Sequence, residues 1–389
     1  MKKTAFWLGL LFVALCSCSD TGEFGIEEAE VSDVGTDMYK ITKEDAIHIA
    51  NSFLGKTTRS TSLFQVDYVL DDTPNITRST AFRNDTLAYI LNKADGDGFV
   101  IVSTDNRVFP VLAYSKKGTF SYEKSDDDIV YANFVSLLDD YMANIQESDT
   151  TVVIPDDYLD GCTGVNLGMA TTWNQRSPFD KYVIQEHPGC PVGCVAVATG
   201  QIMVYCGYTL DYHDMTFYLN SIHRAFQEKK ANSKGRRVVG VGPTYTYEEA
   251  VDYAAKLLYF IGKDVNMNYN PGGSGAYSGN AHSLLKRLNF KIKESGLTAY
   301  SDTAIAQSLS EGNIIYLRGR NIVSGRGHAW VVDGCTYCWQ NPYTQTGIQN
   351  VFLHCAWGWG DDSDGYFSGE VFDVGPSKKY GEMSYFSVK

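Results

Sequence analysis

The sequence predicts an α+β protein in which helices and an antiparallel sheet occupy separate stretches of chain. Three observations carry that expectation. The segment 195–205 is apolar almost all round, as a helix buried inside a core must be. Downstream, between 314 and 367, short strand-like apolar runs follow one another. Upstream, residues 37–150 carry a helix and strands of their own, and a chain of 389 residues exceeds what one hydrophobic core usually organises.

The first residues form a leader, not part of the fold. Lys2-Lys3 and the apolar stretch 5–14 make a basic region and a hydrophobic region too short for a stable membrane span. Leu15-Cys16-Ser17-Cys18 resembles the bacterial lipobox, so residues 1–18 read as a lipoprotein signal peptide and Cys18 as the lipidated N-terminus left after cleavage. The chain is then exported to the cell envelope, with the outer membrane favoured or release after processing, and meets a membrane only through that lipid. Residues 19–36, polar and acidic, read as a flexible tether.

In the unit 37–150, Thr42-Lys43-Glu44-Asp45 resembles a capping box, and Ala46, Ile49, Ala50, Phe53 and Leu54 fall at helical spacing before Gly55. Strands are expected at 63–70, 87–92, 99–103 and 111–115, the middle two joined as a hairpin by the turn 93–98. A helix over 128–146 closes the unit, and 147–161 reads as an exposed connection open to a maturation cut. The unit 151–389 follows. Its helices open at Cys194, at Thr246-Tyr247-Glu248-Glu249 (running to Ile261) and over 302–311, and strands come last, at 314–318, 328–333, 351–356 and 365–367.

Two of these starts carry chemistry. Cys194 follows Gly193 at the first turn of the apolar helix, and His328 opens a strand far downstream in Gly327-His328-Ala329-Trp330-Val331-Val332-Asp333. A cysteine attacks an acyl carbon as thiolate, so its pKa must fall below the free value of about 8.5. A helix N-terminus and a neighbouring imidazolium both lower it. Cys194 is therefore the candidate nucleophile and His328 the candidate general base. A third segment, His354-Cys355-Ala356-Trp357-Gly358-Trp359-Gly360, supplies Trp357 and Trp359 to wall a cleft.

These strings, with Gln201-Ile202-Met203 behind Cys194 and Ser363-Asp364-Gly365-Tyr366-Phe367 behind the tryptophans, resemble the streptopain family of bacterial papain-fold cysteine peptidases, from about residue 40 to the C-terminus. The resemblance implies a papain-like catalytic domain with a helical lobe and an antiparallel sheet lobe, preceded by an α+β propeptide that inhibits it from within. It implies a zymogen endopeptidase that cleaves polypeptide substrates through a thiolate–imidazolium pair and an acyl-enzyme. Trp173-Asn174-Gln175 resembles the family's oxyanion-hole segment, which suggests Gln175, with the Cys194 backbone N–H, as donor to the developing oxyanion. Glycine-rich 270–279 lacks the lysine and spacing of a phosphate loop and reads instead as a mobile loop touching the substrate backbone, with Gly273 and Ser274 as candidate contacts.

One position departs from the family pattern. Many relatives read Asn-Trp-Gly-Trp where this chain has Ala356 before Trp357, so no side-chain amide is there to hold the imidazole. Asp333 lies five residues beyond His328, and an odd separation on an extended strand puts the two on opposite faces. A backbone carbonyl or the packing of Trp357 remains, and the histidine is expected to be held less firmly. Two alternatives keep the cysteine and the histidine: a catalytically weakened papain-fold module that binds protein, and a transglutaminase-like acyl transferase.

A formal net charge of −13 argues against nucleic acid as a partner. Of nine cysteines, removing Cys16 and Cys18 leaves seven, an odd number that suits a free Cys194 with some of the others paired. Cys335 and Cys338 have CxxC spacing without a second such pair, so no metal site and no cofactor is expected. The basic run 229–237 reads as a solvated loop, and the sequon at Asn75 is assigned no role.

Overall fold

A computed structural model describes residues 39–54, 63–71, 86–120, 137–138, 141, 162–229, 242–320, 327–341, 346–360, 363–373 and 382–389. The leader with Cys18, the tether, the sequon, nearly all of the helix expected over 128–146, the connection 147–161 and all but the first residue of the basic run lie outside them.

The N-terminal elements form where their local chemistry predicts. Helix α1 (Lys43–Leu54) begins at Thr42, whose Oγ1 accepts from Asp45 N at 3.2 Å while Asp45 Oδ2 accepts from Thr42 N at 3.0 Å. Its apolar face, Ala46, Ala50, Phe53 and Leu54, is buried against β1 (Phe64–Asp71), β2 (Thr86–Lys93), β3 (Phe99–Ser103) and β4 (Val111–Ser115). The turn between β2 and β3 closes with Lys93 N donating to Gly98 O at 3.0 Å, and Gly96 and Gly98 take φ of 70° and 133°, which a glycine adopts without strain.

The C-terminal part places helices on one side and a sheet on the other. Helix α2 (Val183–Glu186) precedes the central helix α3 (Cys194–Cys206), in which every residue from 194 to 204 is buried. Around it pack α4 (Leu219–Lys229), α5 (Tyr247–Asp264) and α6 (Ser278–Arg287), beside a small hairpin of β6 (Leu210–Tyr212) and β7 (Met215–Phe217). Thr246 caps α5 with the reciprocal bonds of a capping box. Gly200 lets α5 approach closely, since a Cβ there would lie 2.7 Å from Leu258 and 2.9 Å from Trp173. Helix α7 (Asp302–Ser310), capped by Ser301, covers the other face of the sheet, with a short α8 (Gly369–Phe372) beside it.

The remaining strands are β5 (Cys162–Asn166), β8 (Thr298–Ala299), β9 (Ile314–Arg320), β10 (Gly327–Asn341), β11 (Thr346–Ala356), β12 (Gly365–Ser368) and β13 (Ser384–Val388). β10 and β11 form one long antiparallel hairpin, from Val331 opposite Ala356 to Asn341 opposite Thr346, well beyond the short runs 328–333 and 351–356 that the pattern predicts. Cys162 is disulfide-bonded, and the backbone register sets it opposite Cys338. Cys190, Cys194, Cys206, Cys335 and Cys355 are free.

The upstream unit does not stand apart. Among the described residues its four strands continue the downstream sheet in the order β1-β2-β3-β4-β12-β11-β10-β9-β13-β8, with β4 paired antiparallel to β12 through Ala113 opposite Phe367 and Tyr114 opposite Tyr366. Phe352 of β11 is fully buried in the upstream core, 5.2 Å from the ring of Tyr114, 5.8 Å from Phe109 and 6.3 Å from Phe53. A buried aromatic side chain of this kind contributes about 3–5 kcal/mol against alanine. Leu137 and Leu138 enter the core that holds Trp357, and Tyr141 donates to Glu370 Oε2 at 2.7 Å. Among the described residues no helix is long and apolar enough to cross a membrane.

Candidate active site

The first turn of α3 carries Cys194, 9% exposed. Gly193 before it has φ 93°, and a Cβ there would lie 2.6 Å from Met267 Sδ and 3.1 Å from Ser274 O. Only glycine fits both the angle and the space. The helix start thus brings backbone N–H groups of Cys194 and Val195 toward the sulfur, and the N–H of Ala329, next to His328, joins them. Burial nonetheless dominates and raises the thiol pKa, with these three donors acting against it.

His328 is 3% exposed on β10. Its Nε2 lies 2.9 Å from the backbone oxygen of Trp357, and a carbonyl only accepts, so the proton sits on Nε2 and Nδ1 keeps its lone pair. The indole Nε1 of Trp359 lies 3.3 Å from the same Nε2, but two donors cannot share one N–H, and the shorter carbonyl contact decides the tautomer. Trp330, Trp359 and Trp357 lie against the imidazole with ring centroids at 5.7, 5.5 and 6.1 Å and interplanar angles of 14°, 26° and 27°. The looseness expected from Ala356 is therefore not found: a carbonyl and three indoles hold the ring. Asp333 is occupied elsewhere, accepting from Met169 N at 3.1 Å and bonded to His354 Nδ1 at 2.5 Å.

Nδ1 is buried and has no hydrogen-bond partner among the described residues, so thiol and imidazole are not bonded to each other in this form. Burial pushes the imidazole pKa down to about 4, opposed by the Trp357 carbonyl. Both members of the pair are thus held neutral, not as an ion pair.

Gln175 is 4% exposed, and its backbone oxygen accepts from Val192 N at 2.9 Å, which sets it beside the strand of chain leading into Cys194. Arg176 fixes this arrangement: its Nη1 donates to Gly189 O at 2.7 Å and its Nη2 to Pro271 O at 3.2 Å. Gln201 of α3 donates to Thr171 O at 2.7 Å, and Gly360 N to Trp173 O at 3.2 Å, tying the same segment to α3 and to the tryptophan loop.

The other candidates divide. Gly273 and Ser274 sit next to Gly193 in a folded turn, not a mobile loop: Gly273 N donates to Asn270 O at 3.0 Å, Asn268 and Gly275 bridge, and Ser278 already begins α6. Trp359 is half-buried beside the imidazole, whereas Trp357 is 1% exposed and packs 4.8 Å from Trp330 and 5.0 Å from Phe367. In this form Trp357 offers no surface to a substrate and supports the histidine from behind. Sequence reasoning passes over Trp330, although its separation of two from His328 on a strand places both on one face. Arg176 gives no sequence signal, because it acts on the backbone of distant chain, and Asp364 stands in the string 363–367 without any sign there of the backbone it holds.

Comparison with known proteins accords with this architecture. Residues 173–367 match the model of the peptidase C10 family and residues 39–145 that of the Spi protease inhibitor. Streptopain of Streptococcus pyogenes is 28% identical over 313 residues, 72% of this chain and 73% of its own. The thiol protease/hemagglutinin PrtT of Porphyromonas gingivalis is 26% identical over 364 residues, 84% of this chain and 38% of its own. A prointerpain A fragment of Prevotella intermedia superposes with a TM-score of 0.51 at 20% identity, covering 82% of this chain and 97% of that one, a likeness of fold. With 195 of its 389 residues inside the peptidase model, the chain belongs to the peptidase C10 family of cysteine proteases.

Proposed function

We propose that the chain is a zymogen cysteine endopeptidase whose nucleophile is Cys194 and whose general base is His328. The observation that carries this reading is the tautomer of His328: with the proton on Nε2 given to the Trp357 carbonyl, Nδ1 is left as the free base on a ring adjoining Ala329, whose N–H faces the Cys194 sulfur.

In the open cleft Nδ1 takes the thiol proton and the sulfur attacks the substrate carbonyl carbon. The carbonyl oxygen becomes an oxyanion received by the Cys194 backbone N–H and the Gln175 amide. Collapse breaks the C–N bond as His328 returns its proton to the leaving amine, giving an acyl-enzyme. A water deprotonated at Nδ1 then attacks the thioester and releases the acid and the thiol. Trp359 and the turn at Gly273 and Ser274 line the approach to the sulfur.

The upstream part, residues 37–150, acts as the inhibitor. It extends the catalytic sheet through β4 and β12 and keeps Phe352 buried, and Cys194 and His328 are buried, with the thiol pKa raised and the imidazole pKa lowered. Cleavage within 147–161 would free residues 151–389 as the working enzyme. Export with a lipid on Cys18 completes the reading, and labelled palmitate in the chain before the cut at 147–161, lost in C18A, tests it.

Iodoacetamide labelling tests the dyad. After processing at neutral pH, with immobilised parental enzyme making the cut in H328A, Cys194 should alkylate far faster than Cys206 and the other free cysteines, and H328A should abolish that advantage. Equal rates at all free cysteines would point to an inert binding module, and incorporation of a primary amine in place of hydrolysis would point to acyl transfer. Gln175→Ala should lower kcat by about 10²–10³ while alkylation of Cys194 persists, because the oxyanion forms only after attack. Peptide hydrolysis at parental rate in Q175A would remove that residue from the site.

A further inference from the structure

We infer that Asp364 is a positioning residue for the catalytic histidine, acting through the backbone of Trp357. This rests on the reading of His328 as the general base.

The usual amide is missing at Ala356, so the hydrogen bond that orients the imidazole among the three indoles comes from one backbone oxygen, that of Trp357. A carbonyl in a loop orients a side chain only as well as the loop is itself fixed. Trp357 stands just past the end of β11, where the sheet no longer supplies a partner for its N–H, and a buried N–H left unpaired is costly. Asp364 supplies that partner: its Oδ1 accepts from Trp357 N at 3.0 Å, a charge-assisted bond. The residue is thus held at both ends, its N–H by the Asp364 carboxylate and its C=O by the His328 Nε2–H.

The rest of the loop has little freedom of its own. Gly358 and Gly360 have φ of 79° and 95°, and a Cβ on Gly358 would meet Val197 Cγ1 of the catalytic helix at 3.0 Å. Gly360 N donates to Trp173 O, two residues before Gln175. Conformations open to glycine alone place the backbone but do not lock it. The ring of Trp357 is packed against Trp330 and Phe367, and the Asp364 bond is the hydrogen bond that fixes its backbone, which carries the critical carbonyl. The relay is one of geometry, with no proton passing through Asp364: its partner is an amide N–H that does not titrate.

The experiment compares D364A, D364N and H328A in the full chain, each cut at the connection by immobilised parental enzyme that is then withdrawn, on a peptide substrate, with near-UV circular dichroism to establish the fold. D364A should lose roughly a hundredfold in kcat with KM little changed, since displacement of a catalytic group by about an ångström costs that much. D364N keeps an acceptor at the same place and should retain most of the parental kcat. Parental kcat in folded D364A, a loss confined to KM, or an equal loss in D364N would each overturn the assignment. If D364A does not fold, D364S takes its place, because the shorter hydroxyl withdraws the acceptor; equal kcat in D364S and D364N would then overturn it. H328A separates the two readings. Full activity in H328A refutes the dyad itself, whereas an inactive H328A beside a fully active D364A refutes only the role of Asp364.

Discussion

Cys194→Ala should abolish hydrolysis of casein and of peptide substrates, with kcat lower by about 10⁶, the loss seen when the nucleophile of a catalytic set is removed. His328→Ala should fall nearly as far, and the double variant no further, because nucleophile and base act as one unit. The same variants should remain full length. In the parental protein, mass spectrometry after incubation at neutral pH should show a new N-terminus within 147–161, and C194A should show none. The two readouts are linked by chemistry, not by stability: Cys194 is a small side chain, and its replacement costs little in the core that surrounds α3. Processing that proceeds unchanged in purified C194A would assign the cut to another protease, and residual hydrolysis at a tenth of the parental rate would displace Cys194 as nucleophile.

What could be read from the sequence, and what could not, follows from the range of the interactions involved. The helix of Cys194 was legible because burial on all sides leaves a run with no polar face, and because Gly193 marks its start. The capping boxes at Thr42 and Thr246 are local, and both form. The length of the β10–β11 hairpin was not legible, since 334–341 reads Gly-Cys-Thr-Tyr-Cys-Trp-Gln-Asn and shows no clean alternation. Helix α6 is polar over much of its length, and β13 is a five-residue strand set by its neighbours β9 and β8. The joining of β4 to β12 lies between residues some 250 positions apart and leaves no mark on either strand beyond ordinary apolar character. At the site, the absence of an amide at 356 was visible, but its replacement by a carbonyl was not. Every residue carries a carbonyl, and only the fold decides which one faces an imidazole.

The burial of His328 makes the folded form sensitive to acid. His328 is buried with its pKa pushed down to about 4 from an ordinary 6.5, and His223, 2% exposed, is pushed down to about 4 by the same desolvation. A group whose folded pKa is depressed contributes stability that is fully present above the unfolded pKa and is lost as pH falls through the folded one. Each imidazole should therefore withdraw on the order of 3 kcal/mol from the closed form between about pH 6.5 and pH 4, because every tenfold loss of proton affinity is worth roughly 1.4 kcal/mol. Asp180 and Asp302, whose pKa values burial raises, act in the opposite sense, so a single melting curve is not diagnostic. The measurement is the difference in Tm between C194A and the C194A/H328A double variant, taken at pH 7 and at pH 4.5. C194A should drop by several degrees more than the double variant, because only C194A still has a buried imidazole at position 328 to protonate. An identical drop in both would mean that His328 is already accessible to protons in the closed form.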